Sequence, residues 1–335
     1  MKHDAVIVGA GPAGLKAAEI LASNGKKVIV FEKNDVIGKK VCAGGLTKRC
    51  ISLGIPSKLF EREFSSVKVH TKHFSTEITN KKPFIATIKR EELGRWQMKN
   101  AEKAGAEVNI NSEVKKIGNN YVIAKGKKVY FNYLIGADGS NSIVRKYIGI
   151  KTNDIGLGLH YIIDKELNDL EIFFDFKNFG QWYAWIFPHN GFSSVGTGGV
   201  FYDSSKLRKN LELFCRKKGI DISKARFEAA LINTDYRGTN FGNKFLAGDA
   251  AGLASNLTEE GIYFAIMSGS EIARKIIDPG YSCPELKKAV EIKRRHERIA
   301  KLLMLNNTLT KIEHNLFVLL AKNSYFKNKF IDICC

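Results

Sequence analysis

Read as apolar against polar positions, the chain declares its first element in Asp4-Ala5-Val6-Ile7-Val8-Gly9-Ala10-Gly11-Pro12-Ala13-Gly14. A short apolar run ending in closely spaced glycines predicts a buried strand entering a tight turn. An Ala-rich helix from Leu15 to Ser23 and a second strand from Lys27 to Phe31 complete a βαβ unit. Val67 to Thr71, Phe74 to Thr79 and Phe84 to Ile88 then alternate in character, which predicts strands of a second sheet. Helical spacing runs from Arg90 to about Lys103 and stops at Gly105. Ala106 to Ile110 predicts a return to the first sheet. Val114 to Ala124 and Lys128 to Leu134 predict a hairpin that leads into Ile135-Gly136-Ala137-Asp138-Gly139-Ser140, with a helix through Arg145.

From Gly156 onward the texture changes to long apolar and aromatic runs. Gly158 to Ile163, Leu170 to Phe176, Gln181 to Phe187 and Phe192 to Gly199 predict a meander of strands flooring a second domain. A helix from Ser205 to Lys218 and a strand from Phe227 to Asn233 carry the chain back. Lys244-Phe245-Leu246-Ala247-Gly248-Asp249 repeats the strand-into-glycine pattern before a long helix, Gly261 to Ile277. The tail from Glu285 to Phe330 reads as helical and basic, with an apolar face including Ile299, Leu302, Leu303, Leu305 and Leu309. The expected fold is α/β: a Rossmann-like nucleotide-binding domain (1–65, 91–150 and 241–282), a second α+β domain with a largely antiparallel sheet (66–90 and 151–240), and a C-terminal helical segment (283–335).

Composition narrows the setting. The 335 residues carry 53 Lys and Arg against 34 Asp and Glu, a formal net charge of +19. That excess suits an anionic partner, such as a phospholipid surface, a nucleic acid or a phosphorylated substrate, or serves solubility alone. No stretch has the length and purity of a spanning helix, and the N-terminus enters a strand without a signal peptide's apolar core, so a cytoplasmic or peripheral membrane location is expected. Six cysteines lack any C-x-x-C pair, which excludes zinc-ribbon and iron–sulfur patterns and leaves reduced thiols and no metal.

The chemistry begins at the first turn. Gly9 permits the tight turn, Gly11 lets backbone approach a pyrophosphate, and Gly14 allows helix–strand packing. The helix start offers free N–H groups and a positive dipole end to phosphates. Glu32 lies eighteen residues past Gly14, where a carboxylate accepts hydrogen bonds from a ribose 2′-OH. In Cys42-Ala43-Gly44-Gly45 two adjacent glycines permit close approach of backbone to a flat ligand.

Three fingerprints occur in one order: the G-x-G-x-x-G turn, Gly136-Ala137-Asp138-Gly139, and Gly248-Asp249-Ala250-Ala251-Gly252. Together they resemble the flavoproteins built like p-hydroxybenzoate hydroxylase, over roughly residues 1–280. The resemblance implies FAD as cofactor, with Gly9, Gly11, Ala13 and Gly14 at its pyrophosphate, Arg90 in support and Asp249 on the ribityl chain. It extends the expected FAD-binding set to Lys33, Cys42, Gly44, Gly45, Asp138, Gly252, Gly261 and Ile262. Cys42-Ala43-Gly44-Gly45 and Tyr183-Ala184-Trp185-Ile186-Phe187-Pro188 are further similar to the C-x-G-G loop and Y-x-W-x-F-P stretch of the geranylgeranyl reductase family, which includes archaeal digeranylgeranylglycerophospholipid reductases. That likeness implies reduction of isoprenoid double bonds of a prenyl lipid or prenyl diphosphate by FADH₂. Family members usually carry Pro and Gly after the Gly-Asp motif, whereas this chain has Ser255-Asn256-Leu257-Thr258-Glu259-Glu260-Gly261.

On a strand, Tyr183, Trp185 and Phe187 share one face while Trp182 and Ile186 take the other. The first set makes an aromatic wall, read either as ordinary β core or, with Pro188, as the lining of a prenyl site, where burial yields roughly 25 cal/mol per Å². An isolated trisubstituted alkene is a poor hydride acceptor. Proton arrival at the less substituted carbon therefore builds cationic character that flavin N5 hydride quenches, with cation–π support from Tyr183 and Trp185. Cys42 is a flavin contact or packing residue before it is an acid, or pairs with Cys50; His160 and Tyr161 lie in the same lobe, and the general acid stays open. The rival readings are a flavin monooxygenase or halogenase, a basic RNA-binding flavoprotein and a non-catalytic FAD scaffold. The aromatic lobe disfavours nucleic acid. Ferredoxin, a deazaflavin or NAD(P)H is the expected electron donor, and the basic tail is either a membrane contact or packed on its own domain.

Overall fold

The strand Lys2–Val8 sits mid-sheet because its second half, from Ala5 to Val8, is wholly apolar, which suits burial on both faces. In the computed structural model, which describes residues 2–180, 182–200, 204–304, 315 and 318–320, it pairs in parallel with Val28–Phe31 on one side and Lys127–Gly136 on the other. Glu107–Asn109 and Lys244–Leu246 extend this sheet in parallel at either flank. Asn240–Phe241 and the hairpin Val114–Ile117 with Tyr121–Ala124 add antiparallel pairings, making eight strands. Side-chain alternation divides the core: Val6, Val8, Ile29 and Phe31 face one layer, and Ala5, Ile7, Val28 and Val30 the other. The opening helix Pro12–Ser23 lies so close to the helix Ile262–Ile277 that a Cβ on Gly269 would overlap the Ala13 carbonyl.

A second sheet of seven strands runs in the order Arg226–Asn233, Ile155–Ile163, Ser193–Val200, Ala184–Pro188, Glu171–Phe173, Ser66–His70 and Ser75–Thr79. All its pairings are antiparallel except Glu171–Phe173 with Ser66–His70. One face buries Leu157, Leu159, Tyr161 and Ile163 beneath Leu207, Leu211 and Cys215 of the helix Ser204–Lys217. The opposite face carries Gly158, His160 and Trp185 toward the first sheet. Gly45–Thr47, Ile85–Thr87 and Arg62–Phe64 form a small third sheet.

Several expectations shift. Phe84 to Ile88 does not enter the second sheet: Ile85–Thr87 pairs in the third. Its alternate side chains serve two cores, Ile85 packing with Val67 and Val69 and Ala86 facing the nucleotide side. The strand expected from Leu170 to Phe176 ends at Phe173, because Asp175 accepts a hydrogen bond from the Asn178 N–H and caps a short helix, Phe176–Phe179. The aromatic strand begins at Ala184, leaving Tyr183 just outside it. In the tail a helix spans Pro284–Met304; the side chains of Leu302 and Leu303, and Leu305 and Leu309 altogether, fall outside the described residues. No described helix is long and apolar enough to cross a membrane, and among the described residues no His, Cys, Asp and Glu cluster could hold a metal.

Candidate functional site

A cavity of about 570 Å³ opens between the glycine ends of the first sheet and the free face of the second. At its first end the opening turn is fixed by its own backbone. Gly9, at φ +100°, has no room for a Cβ against the Ala137 carbonyl, and a Cβ on Gly14 would overlap the carbonyl of Gly9. Gly11 differs: it lines the cavity, and a Cβ there would meet nothing nearer than the Ala137 carbonyl at 3.9 Å. Glu32 braces this turn from behind, accepting from the Ala10 N–H at 2.8 Å and the Asn34 N–H at 2.9 Å.

Two helix starts meet the same space. The helices Pro12–Ser23 and Ile262–Ile277 have no side-chain cap and no acid in their first turns, so their free N–H groups and dipole ends face the cavity uncompensated. Arg90 lines the cavity too, and its buried Nε and Nη1 find no protein partner among the described residues. Buried guanidinium N–H groups without an acceptor are costly, and the nearby helix starts also want an anion.

Asp249 stands at the next corner, 8 % exposed, with its Oδ2 2.5 Å from Lys40 Nζ and 3.2 Å from Ser140 Oγ. Its backbone carbonyl accepts from Asn233 Nδ2. The loop 255–261 follows and is held from outside the cavity. Ser255 Oγ is 2.9 Å from His296 Nδ1, and buried Lys293 donates to the Ala254 carbonyl at 2.9 Å; burial holds the Lys293 ammonium below its usual pKa. Within this loop Glu260 accepts from Thr47 Oγ1 and lies 3.7 Å from Arg49; burial nonetheless pushes its carboxyl up.

The far wall is aromatic. Tyr183, Trp185 and Phe187 line it together, and the Tyr183 hydroxyl donates to the Thr258 carbonyl at 2.8 Å. Trp185 fits because Gly196 opposite has no side chain, and its Nε1 donates to Ser194 Oγ at 3.2 Å. Ser194 Oγ is 2.8 Å from His160 Nδ1, and His160 Nε2 is 3.1 Å from Glu228. The bond from His160 holds the Glu228 carboxyl below its usual pKa. Alternation on one strand separates the two residues considered as acids: His160 lines the cavity, whereas Tyr161 points to the opposite face and donates to Glu212.

The two diagnostic motifs touch. A Cβ on Gly45 would overlap the Phe187 ring, and one on Gly44 would lie 2.8 Å from His189 Cε1, so the glycine pair lets its loop lie flat on the end of the aromatic strand. His189 fastens the junction, 2.9 Å from the Ala43 carbonyl and 2.6 Å from Glu61. Burial alone would raise the Glu61 carboxyl, but His189 and Lys89 outweigh it and hold the pKa low.

Of the sequence-predicted residues, Gly11, Ala13, Cys42, Gly45, Arg90 and Asp249 line the cavity with Gly261 and Ile262, facing Tyr183, Trp185 and Phe187. Gly9, Gly14, Glu32 and Gly44 shape it from behind. Asp138 points away: its Oδ2 accepts from the Ile143 and Val144 N–H groups at a helix start, and burial raises its carboxyl despite those bonds. Gly252 (φ +76°) serves a backbone crossing at Asp235, Lys33 is exposed, and the Pro188 carbonyl accepts from Thr87. Cys42 and Cys50 both line the cavity as free thiols, not as a disulfide, and burial raises the Cys50 thiol further. Lys40, His189, Ser194 and Glu259 were not singled out; Ser194 falls in the expected strand Phe192 to Gly199 and Glu259 in the unusual loop.

Comparison with known proteins places the chain in a family. The FAD binding domain family matches residues 2–162. A geranylgeranyl diphosphate reductase of Rhodobacter capsulatus is 30 % identical over 291 residues, covering 80 % of this chain and 73 % of its own length. The chain belongs to the geranylgeranyl reductase family. A digeranylgeranylglycerophospholipid reductase of Methanocaldococcus jannaschii is 28 % identical, covering 82 % and 78 %. A geranylgeranyl bacteriochlorophyll reductase-like protein of Thermoplasma acidophilum shares the fold, with a TM-score of 0.78 over 99 % of each chain at 22 % identity. The protein is thus an FAD-dependent oxidoreductase of a mixed α/β flavoprotein fold. The residues present fit FAD: an unpartnered Arg90, two open helix starts and the bare Cα of Gly11 converge where a pyrophosphate needs donors and space.

Proposed function

We propose that this geranylgeranyl reductase family member saturates C=C bonds of a prenyl lipid or prenyl diphosphate. The observation that carries the reading is one continuous cavity joining the phosphate-seeking glycine end to the aromatic face of Tyr183, Trp185 and Phe187. When bound and reduced, FAD supplies a hydride equivalent. Gly11 and the start of the helix Pro12–Ser23 receive the pyrophosphate, and Arg90 pairs with it. Asp249, oriented by Lys40 and Ser140, accepts from ribityl hydroxyls. The start of the helix Ile262–Ile277 opposes negative charge on the ring system.

Opposite these groups, Val67, Ile85, Ile172 and Phe174 continue the apolar lining from Trp185 and Phe187, giving a prenyl chain a dry bed. Ring faces of Tyr183 and Trp185 stabilise cationic character at a substituted alkene carbon. The names of relatives that reduce prenyl diphosphates and prenyl phospholipids support the same substrate class. The excess of 53 basic over 34 acidic residues suits a phosphate-bearing substrate.

The test is anaerobic. Chemically reduced holoenzyme is mixed with geranylgeranyl diphosphate, or with a geranylgeranylated phospholipid in vesicles, and the return of oxidised-flavin absorbance is followed. Prenyl-dependent reoxidation supports the reading. Flavin that stays reduced with both substrates, yet hydroxylates or halogenates an aromatic compound once oxygen is admitted, contradicts it.

A further inference from the structure

The geometry points to Glu259 as the proton donor of the reaction, a catalytic residue delivering a proton to the alkene while the other carbon takes hydride. This rests on the C=C reduction proposed above. Glu259 lines the cavity from the loop 255–261, at φ +55°, a left-handed conformation that side-chain-bearing residues rarely adopt. Strain of this kind costs about 1–3 kcal/mol and persists where surrounding structure enforces it, typically at functional sites. Here the enforcement is visible. The loop is tied by Ser255 to His296, by Lys293 to the Ala254 carbonyl and by Tyr183 to the Thr258 carbonyl.

The carboxyl reaches across to the second sheet and occupies the place a side chain on Gly198 would take; a Cβ there would overlap Glu259 Oε1. That oxygen is buried and has no hydrogen-bond partner among the described residues. Of the cavity's other charged groups, Asp249 is paired with Lys40 and His160 lies between Ser194 and Glu228, while Glu260 accepts from Thr47 through one oxygen and stands 3.7 Å from Arg49 with the other. Arg90, which needs an anion, stands at the phosphate end. Burial pushes the Glu259 carboxyl up to about 8, so at neutral pH it is a neutral acid carrying a proton into an apolar space. A carboxylic acid kept protonated by its surroundings is suited to general-acid work.

The step balances. The alkene π bond breaks, its less substituted carbon bonding the Glu259 proton and its more substituted carbon bonding a hydride equivalent from the reduced flavin. A carboxylate, oxidised flavin and a saturated bond remain, and the carboxylate regains its proton from solvent before the next turnover.

Two readouts test this on the full-length holoprotein. The infrared carboxylic-acid C=O band is titrated in wild type and Glu259→Gln. A band present at pH 6, lost as pH rises through about 8 and missing in Glu259→Gln is expected; wild type without such a band at pH 6 overturns the assignment. Single-turnover prenyl reduction is then compared in wild type, Glu259→Gln and Gly198→Ala, with FAD uptake and melting temperature as folding controls. Glu259→Gln should bind FAD and prenyl diphosphate normally and slow prenyl reduction by about 10²–10⁴-fold. Gly198→Ala, which displaces the carboxyl, should follow it, while Glu259→Asp recovers part of the rate. Folded Glu259→Gln at wild-type rate sinks the proton-donor role alone; wild type that never reduces a prenyl bond sinks the substrate reading as well. If Glu259→Gln fails to fold, the Gly198→Ala rate and the wild-type infrared titration decide.

Discussion

The two ends of the cavity are built on opposite principles. At the opening turn every constraint is local: Gly9 and Gly14 are excluded from bearing side chains by backbone within the same unit or its sheet neighbour, and Glu32 closes the turn from the adjacent strand. At the loop 255–261 a non-glycine residue sits in a left-handed conformation, and its support comes from Lys293 and His296, on a helix distant in sequence. The first end offers donors and open space for an anion. The second presents a proton-bearing acid to an apolar wall. The contrast teaches that the shape of the opening turn is set by backbone packed directly against it, whereas the far end of the cavity exists only when several segments have docked.

Breaking the local end should have the largest effect. Gly9→Ala adds a Cβ where the Ala137 backbone already sits, beyond the roughly 1–2 kcal/mol of left-handed strain. It should abolish FAD uptake in a fluorescence titration, and retention of wild-type affinity would show that the turn tolerates rearrangement. The docked end should respond to pH instead. The raised Glu259 carboxyl keeps its proton when folded but loses it when unfolded, so stability falls as pH rises from about 4.5 to about 8. Glu259→Gln should flatten this slope by about 1.4 kcal/mol per pH unit within the window, measured by urea unfolding; an unchanged slope would place the charge elsewhere.

Smaller effects sharpen the division. Arg90→Gln removes a charged donor worth about 1.5–3 kcal/mol and should weaken FAD binding roughly 10- to 150-fold without changing prenyl affinity. Trp185→Leu should slow the prenyl step about tenfold while leaving FAD affinity intact, as expected of a cation–π contact; equal losses in binding and rate would reduce the residue to packing. Lys33→Ala, exposed and off the cavity, should change FAD affinity less than about twofold.

Legibility in the sequence follows the same line. The first βαβ unit, the helix at Arg90 and the long helix after Gly261 were readable because apolar period and bounding glycines lie within a few residues of one another. Ile85–Thr87 was misassigned because its alternate side chains serve two cores, and periodicity does not say which neighbour pairs. Asp138 matched a motif, but its carboxyl caps the following helix, a use the same Asp-x-x-x pattern equally allows. Lys40 gave no signal, since only the fold carries it to Asp249, 209 residues away. His189 follows the aromatic motif directly, yet its partner Glu61 is equally remote from sequence reasoning. Glu259 was visible solely as a departure from the usual glycine-bearing loop, and its meaning depends on the bare Gly198 across the cavity.

The measurement that tests the central claim most directly is the mass of the prenyl product after a single anaerobic turnover of reduced holoenzyme with geranylgeranyl diphosphate. The account predicts two added hydrogens for each flavin reoxidised, with the gain abolished when Gly9→Ala removes FAD. A prenyl chain recovered at unchanged mass while the flavin is reoxidised, or a gain that persists in protein without FAD, would contradict it.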